Sequence, residues 1–260
     1  MPAPEADPQM APAAADRKAV LAAVNRLRKL GDLNAVEMCA GSHMTDVLGP
    51  RTAYGYVMSN FVSRGFARRR HTPEELADRV PPGQYVESGF PVLTAGPTPR
   101  IDTDAWGFRI DGMVGAEQEW TWDEFHALPF ENVPCDIHCV TKWSKLGTSF
   151  GGVSVDTLLG NADPRGAYAM AYSYGGYTTN LPLADLTGGK AWVVTEHEGE
   201  PLPREHGGPA RLLVPHLYFW KSAKWVAGLR VMDHDEPGFW ETNGYHNRGD
   251  PFKEERYWSD

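Results

Sequence analysis

Apolar and polar residues alternate along much of the chain after residue 100. Trp106, Phe108 and Ile110 alternate with Gly107, Arg109 and Asp111 before an Asp111-Gly112 turn, the period-two pattern of a half-buried strand. Further strands are predicted at Tyr168, Met170 and Tyr172, over Ala191 to Thr195, over Arg211 to Val214, and by the alternation Trp225, Ala227, Leu229, Val231. Helical signals are fewer. Thr121-Trp122-Asp123-Glu124 has the Thr-x-x-Glu form of a capping box, and Phe125 and Leu128 give it an apolar stripe until Pro129 ends the element. Near the N-terminus, Asp16 is a plausible cap for a short amphipathic helix with Val20, Val24 and Leu27 on one face and Gly31 as its stop. The Ala/Pro-rich residues before it have nothing to pack and predict a flexible leader. Three parts follow: a leader over residues 1–15, a helical extension over residues 16–80, and a strand-rich domain over residues 81–260 that opens at Pro81-Pro82-Gly83.

Composition agrees with a fold rich in strands and turns. The 260 residues are 42% hydrophobic and 23% charged, with 27 Gly and 21 Pro, which suits an α+β fold better than a helical bundle. Lys and Arg number 25 against 34 Asp and Glu, a net charge of -9, so the chain offers no general field for a phosphate backbone and no nucleic acid is expected as partner. A basic cluster at Arg64, Arg68, Arg69 and Arg70 reads as a solvated helix end before Pro73. No run approaches the roughly 18–20 apolar residues of a membrane span, since Leu212 to Trp220 is interrupted by Pro215 and His216. Three cysteines cannot build a secreted disulfide framework, and the N-terminus has no basic start before an apolar run, so a cytoplasmic protein is expected. Internal repeats and Gly-rich phosphate loops are missing, which removes support for the common nucleotide-binding classes.

The richest chemistry lies in Cys135-Asp136-Ile137-His138-Cys139-Val140-Thr141-Lys142-Trp143-Ser144. Cys135, His138 and Cys139 are thiolate and imidazole donors for zinc, but a closed tetrahedral site needs a fourth ligand. Cys139 with a distant histidine base would be a nucleophile. Alternatively, one thiolate ligates a soft, redox-active metal whose other ligands come from an organic cofactor. Against these stands a packing role for two small buried thiols, which is the preferred reading of Cys135. His197 and Glu198 before Gly199 read as a solvated hairpin tip, and Arg248-Gly249-Asp250 as a turn before Pro251.

Resemblance decides among these readings for Cys139. Cys139-Val140-Thr141-Lys142-Trp143-Ser144, followed by Phe150-Gly151-Gly152-Val153, resembles the metal-cysteine block of the sulfite oxidase-like molybdenum oxidoreductases. Leu202 to Pro215, Phe219-Trp220-Lys221-Ser222-Ala223-Lys224-Trp225-Val226, Phe90 to Pro97 and Gly238-Phe239-Trp240-Glu241 resemble that family's further blocks, in order, over about Pro81 to Trp258. The resemblance implies a mixed β-rich molybdopterin-binding domain and a molybdenum-molybdopterin cofactor completed by the thiolate of Cys139. It implies cofactor contacts from Thr94, Ser173, His206, Arg211, Ser222, Ala223 and Lys224. A guanidinium at Arg211 and an ammonium at Lys224 suit phosphate or pterin oxygens. Trp143 and Tyr177 are candidate aromatic walls of a substrate funnel, against a role as core filling. His206 stands where relatives of the methionine-sulfoxide-reductase type carry asparagine, and Lys142 and Trp143 stand where sulfite oxidases carry arginines, which counts against sulfite. The implied activity is oxygen-atom transfer with two-electron chemistry on a small substrate, with electrons exchanged with a separate protein and a monomer favoured. The alternative is a binding protein stabilised by zinc on Cys135, His138 and Cys139.

Overall fold

The computed structural model describes Leu76 and residues 78–260. The predicted leader, the helix from Asp16 and the basic cluster at Arg64 to Arg70 lie outside the described residues.

Chain alternation builds two sheets. In order along the chain come β1 (Tyr85–Val86), β2 (Gly107–Gly112), β3 (Gln118–Thr121), α1 (Trp122–His126), β4 (Glu131–His138), β5 (Trp143–Ser154) and α2 (Val155–Leu159). There follow β6 (Tyr168–Ser173), β7 (Thr178–Pro182), β8 (Trp192–His197), β9 (Glu200–Pro201), β10 (Arg211–Leu213), β11 (Val226–Met232) and α3 (Phe239–Thr242). The first sheet runs β1-β5-β8-β10, with β4 on β5 and β9 on β8; the second runs β3-β2-β11-β6-β7. Most neighbours are antiparallel, but β1 pairs β5 and β2 pairs β11 in parallel. The strands predicted from alternation are all present, and the α+β reading holds.

The helices are short, and α1 and α2 begin at caps written in the sequence. The capping box of α1 forms as its spacing requires: the Thr121 hydroxyl accepts from the Glu124 amide at 3.4 Å, and the Glu124 carboxylate accepts from the Thr121 amide at 2.9 Å. Ser154 caps α2 by accepting from the Thr157 amide at 3.2 Å, and Gly160 follows its last turn.

Period-two alternation gives the first sheet two buried faces. Val153, Val193 and Leu212 face the second sheet, where they meet Phe108, Ile110, Ala171, Leu181, Leu229 and Val231. Phe150, Val194 and Leu213 point the other way, into a second cluster with Val133, Ile137, Cys139, Trp143, Tyr218, Phe219 and Tyr245. That second face is covered by loops and turns rather than by a sheet, so residues distant in sequence converge there. Close approach of β5 to β8 requires glycine at Gly152, since a Cβ there would overlap the Val193 carbonyl.

Candidate active site around Cys139

Cys139 lies in the turn that carries β4 into β5. The turn is closed by the Cys139 amide donating to the Trp143 carbonyl at 2.9 Å and the Lys142 amide donating to the Cys139 carbonyl at 3.0 Å. Lys142 takes a left-handed conformation, φ 76°, to make it. Cys139 is 8% exposed, and the Thr141 hydroxyl donates to its sulfur at 3.1 Å. The sulfur thus sits at the edge of an aromatic cluster with a hydroxyl already directed at it.

Arg211 enters the same cluster from β10, on the face shared with Leu213. Its side chain is fully buried, and its guanidinium lies 3.9 Å from the centre of the Phe219 ring. It donates to the His206 carbonyl at 2.7 Å and to the Ser222 carbonyl at 2.7 Å. Among the described residues no carboxylate pairs with it, and burial lowers its pKa from 12.5 to about 9. A cation held only by carbonyls is a site prepared for an anion.

The remaining predicted cofactor residues lie on the segments that Arg211 ties together. His206 ends a 3-10 turn, stacks on Phe90 with ring centres 3.8 Å apart, and has its pKa lowered to about 4 by burial and by the charges of Lys224 and Arg211. It is therefore a neutral imidazole at neutral pH. Gly207, at φ 112°, lets this turn lie against Arg211 and Lys224, because a Cβ there would stand 3.1 Å from both. Lys224 donates to the carbonyls of Leu93 at 2.7 Å and Glu205 at 2.6 Å, which joins the Phe90 to Pro97 block to the His206 turn. Ser222 accepts from the Val214 amide at 2.9 Å, and the Ala223 carbonyl accepts from the Leu212 amide at 2.9 Å.

Three predicted residues carry buried polar atoms without a hydrogen-bond partner: Trp143 Nε1, His206 Nδ1 and Ser173 Oγ. Such atoms cost about 1–3 kcal/mol each when nothing meets them, so these three, on segments tied to Arg211 and Cys139, are open to a polar ligand. Trp143 lies edge-on to Phe90 and Phe219, within the Cys139 cluster. Ser173 ends β6 opposite Val226, and the neighbouring Tyr174 amide donates to the Trp225 carbonyl at 3.0 Å, directly after Lys224.

Two predicted residues have their hydroxyls turned to backbone carbonyls, although Tyr177 lies close enough to Arg211 to sense its charge. Tyr177 packs against the core between the sheets, and its hydroxyl donates to the Trp220 carbonyl at 2.6 Å. The Thr94 hydroxyl closes a local turn onto the Gly96 carbonyl at 3.1 Å; the neighbouring Leu93 carbonyl is the atom that reaches Lys224. Cys135, His138 and Cys139 do not converge. His138 shares a hydrogen bond with the Ser144 hydroxyl at 2.9 Å, burial pushes the Cys135 thiol up to about 12, and among the described residues no group of three such side chains is placed to hold a metal ion.

The expected solvated tip at His197 is only half correct. Glu198 and Gly199 do form a left-handed turn at φ 53° and 81°, but the His197 ring packs on Phe90 and Phe150, with centres 5.0 and 4.9 Å away, and reaches the Thr148 hydroxyl at 2.8 Å. Phe90 thus joins His197, His206, Trp143 and Phe219. No local signal announced that role, because its partners lie more than fifty residues away.

Comparison with known proteins accounts for this arrangement. Residues 95–240 match the family described as the oxidoreductase molybdopterin binding domain. The chain belongs to this family. This molybdopterin oxidoreductase is 40% identical over 195 residues to the uncharacterized oxidoreductase YuiH of Bacillus subtilis, covering 74% of this chain and 98% of the relative. It is 30% identical over 178 residues to the putative protein-methionine-sulfoxide reductase subunit YedZ1 of Azospira oryzae, covering 66% of this chain and 67% of that protein. Rat mitochondrial sulfite oxidase is 23% identical over 57% of this chain, which spans 33% of that enzyme. The sulfane dehydrogenase SoxCD from Paracoccus pantotrophus shares the fold, with a TM-score of 0.50 and 18% identity over 72% of this chain and 60% of that one. The protein is a sulfite oxidase-like oxidoreductase, and its cofactor is molybdenum-molybdopterin. Its residues fit that group: a buried guanidinium lacking a carboxylate, three unmet polar atoms and a thiol belong to one set of joined segments.

Proposed function

We propose that this molybdopterin oxidoreductase transfers an oxygen atom to or from a small substrate and exchanges the two electrons with a separate redox protein. In balanced form, X + H2O ⇌ XO + 2 H+ + 2 e-, where X is the substrate. The observation that carries the reading is the setting of the Cys139 sulfur, in one aromatic cluster with Trp143, whose Nε1 is unmet, and with Phe219, on whose ring the buried Arg211 guanidinium lies.

When bound, the cofactor supplies a metal able to change oxidation state by two electrons while an oxygen atom is gained or lost. The Cys139 thiolate would ligate that metal, with the Thr141 hydroxyl holding the sulfur in place. Arg211 and Lys224 would hold the cofactor's phosphate, and His206 Nδ1, Trp143 Nε1 and Ser173 Oγ would meet its polar edges. The aromatic faces of Phe90, Trp143 and Phe219 would keep water from the sulfur. A sulfoxide is favoured over sulfite as substrate, because Lys142 turns to a surface groove with Lys253, Glu254 and Arg256 and so adds no charge on the aromatic side. The similarity to a protein-methionine-sulfoxide reductase subunit supports the same choice.

The test is elemental and pterin analysis of the purified protein, followed by dye-coupled assays of sulfoxide reduction and sulfite oxidation. Molybdenum with a fluorescent pterin and turnover of a sulfoxide are expected. Zinc in place of molybdenum, or full activity from cells unable to make molybdopterin, would overturn the proposal.

A further inference from the structure

The segment after α3 returns to the Cys139 turn and places a charged side chain on it. Arg256 has a side chain only 8% exposed, yet it lies four residues from the last position described. Its guanidinium donates to the Val140 carbonyl at 3.2 Å and to the Pro82 carbonyl at 3.0 Å, and lies 5.1 Å from the centre of the Tyr218 ring. Val140 is the residue directly after Cys139. The segment is held in place by its own pairings: the His246 amide donates to the Arg256 carbonyl at 3.1 Å, and Tyr245 bridges Tyr257. Asp260 accepts from the amides of Arg256 and Tyr257 at 3.0 and 2.8 Å.

The surrounding charges do not cancel this cation. Lys142 and Lys253 line the groove beside it together with Glu254 and Asp260, so the lysines offset the two carboxylates. Glu254 is 3.7 Å away but 53% exposed, where water screens it. The phenol of Tyr218, pushed up to about 12 by burial, senses both the Arg256 charge and the Cys139 thiol, which places both near the same hydroxyl.

We propose that Arg256 is a positioning residue for Cys139, fixing the turn through the Val140 carbonyl and setting the reduction potential of the metal on that sulfur with its buried positive charge. The proposal rests on the functional reading above. A buried cation favours whichever state of the metal centre holds more electrons, so it raises the potential. The hydrogen bond and the charge are separable, because glutamine keeps an N–H donor without the charge and lysine keeps the charge.

The experiment compares wild-type holoenzyme with Arg256→Gln, Arg256→Lys and Arg256→Met, reading molybdenum and pterin content and then the molybdenum potential by a spectroscopically monitored redox titration. Arg256→Gln and Arg256→Met are expected to lower the one-electron equilibrium on the order of tenfold, about 59 mV, while Arg256→Lys stays near wild type. If Arg256→Met does not fold, the Gln and Lys pair decides. Loss of molybdenum from Arg256→Gln but not from Arg256→Lys also supports the charge. Equal behaviour of those two variants, both normal or both impaired, overturns it. Wild-type protein that carries no molybdenum overturns the functional reading and takes this proposal with it.

Discussion

Arg211→Met separates what the guanidinium does for the fold from what it does for the cofactor. In the protein as folded, the cation sits at about 9 against 12.5 in water, which at about 1.4 kcal/mol per pH unit makes it less stable by about 5 kcal/mol. Because burial depresses the pKa of a base, that cost is complete below about 9 and is carried in full at neutral pH. The substitution removes the cost and leaves the His206 and Ser222 carbonyls unmet, at about 1–3 kcal/mol each. The two effects oppose, so apoprotein from cells lacking the cofactor should unfold within a few degrees of wild type. Cofactor retention should change far more. A hydrogen bond to a charged group contributes about 1.5–3 kcal/mol, so the variant should retain the cofactor roughly 10- to 100-fold less well. The assay is calorimetry of both apoproteins, with molybdenum and pterin counted after exhaustive gel filtration of both holoproteins. A variant as fully loaded as wild type would refute the assignment. One whose apoprotein fails to fold would show that Arg211 serves the fold instead.

Three further outcomes follow from the same geometry. Cys139→Ser should keep the thermal unfolding profile of the apoprotein but reduce turnover to background, and near-normal turnover would count against the sulfur as ligand. Lys221→Met strips a 2.6 Å partner from the Glu241 carboxylate, buried with it, and should cost about 3–5 kcal/mol in urea unfolding; Lys221→Met with Glu241→Leu should recover most of that loss. His206 and His138 are both held at about 4 by burial, below the ordinary 6.5, so stability should be complete above about pH 6.5 and fall as pH drops toward 4. His206→Asn should flatten that fall in pH-dependent calorimetry, and an unchanged slope would show that this imidazole does not carry it.

How much of this was legible in the chain depends on the range of each interaction. Strand β2 and the capping box of α1 are written within a few neighbouring residues, and both formed as read. The pattern around Tyr168, Met170 and Tyr172 gave the strand and left open which face turns inward; the small residues Ala169 and Ala171 are the buried ones, because β6 lies against the core between the sheets. Around Cys139, the segments were legible because they resemble family blocks, whereas the contacts between them were not. Phe90 meets His197 and His206, and Arg256 meets Val140, across more than a hundred residues. No local periodicity encodes such pairs. The place of His197 between Val194 and Pro201 reads as a polar hairpin tip, yet the bulge at Thr195 in β8 turns its ring onto the same face as Phe150.

Several departures from ordinary local rules fall on these same segments, which supports their belonging to the site. Lys142 and Trp225 adopt left-handed backbone, the latter a bulky residue that rarely does so, and they flank Cys139 and Lys224 in the chain. The Trp225 conformation is held by its amide donating to the Gly207 carbonyl at 3.2 Å and its indole donating to the Arg204 carbonyl at 2.8 Å. Three of the seven buried unmet polar atoms among the described residues lie on Trp143, Ser173 and His206, and Arg211 contributes the uncompensated cation. Each feature alone destabilises the protein. Packing error would scatter such costs over the sheets, where instead β2 pairs regularly with β11, and the β6–β11 ladder shifts register only between Val226 and Gly228, beside Ser173. Their grouping is what selection for a bound anionic, hydrogen-bonding ligand produces, because the ligand repays the costs only where it sits. Trp106 Nε1, unmet in the core between the sheets, lies outside that grouping and marks what an unmet donor without a ligand looks like.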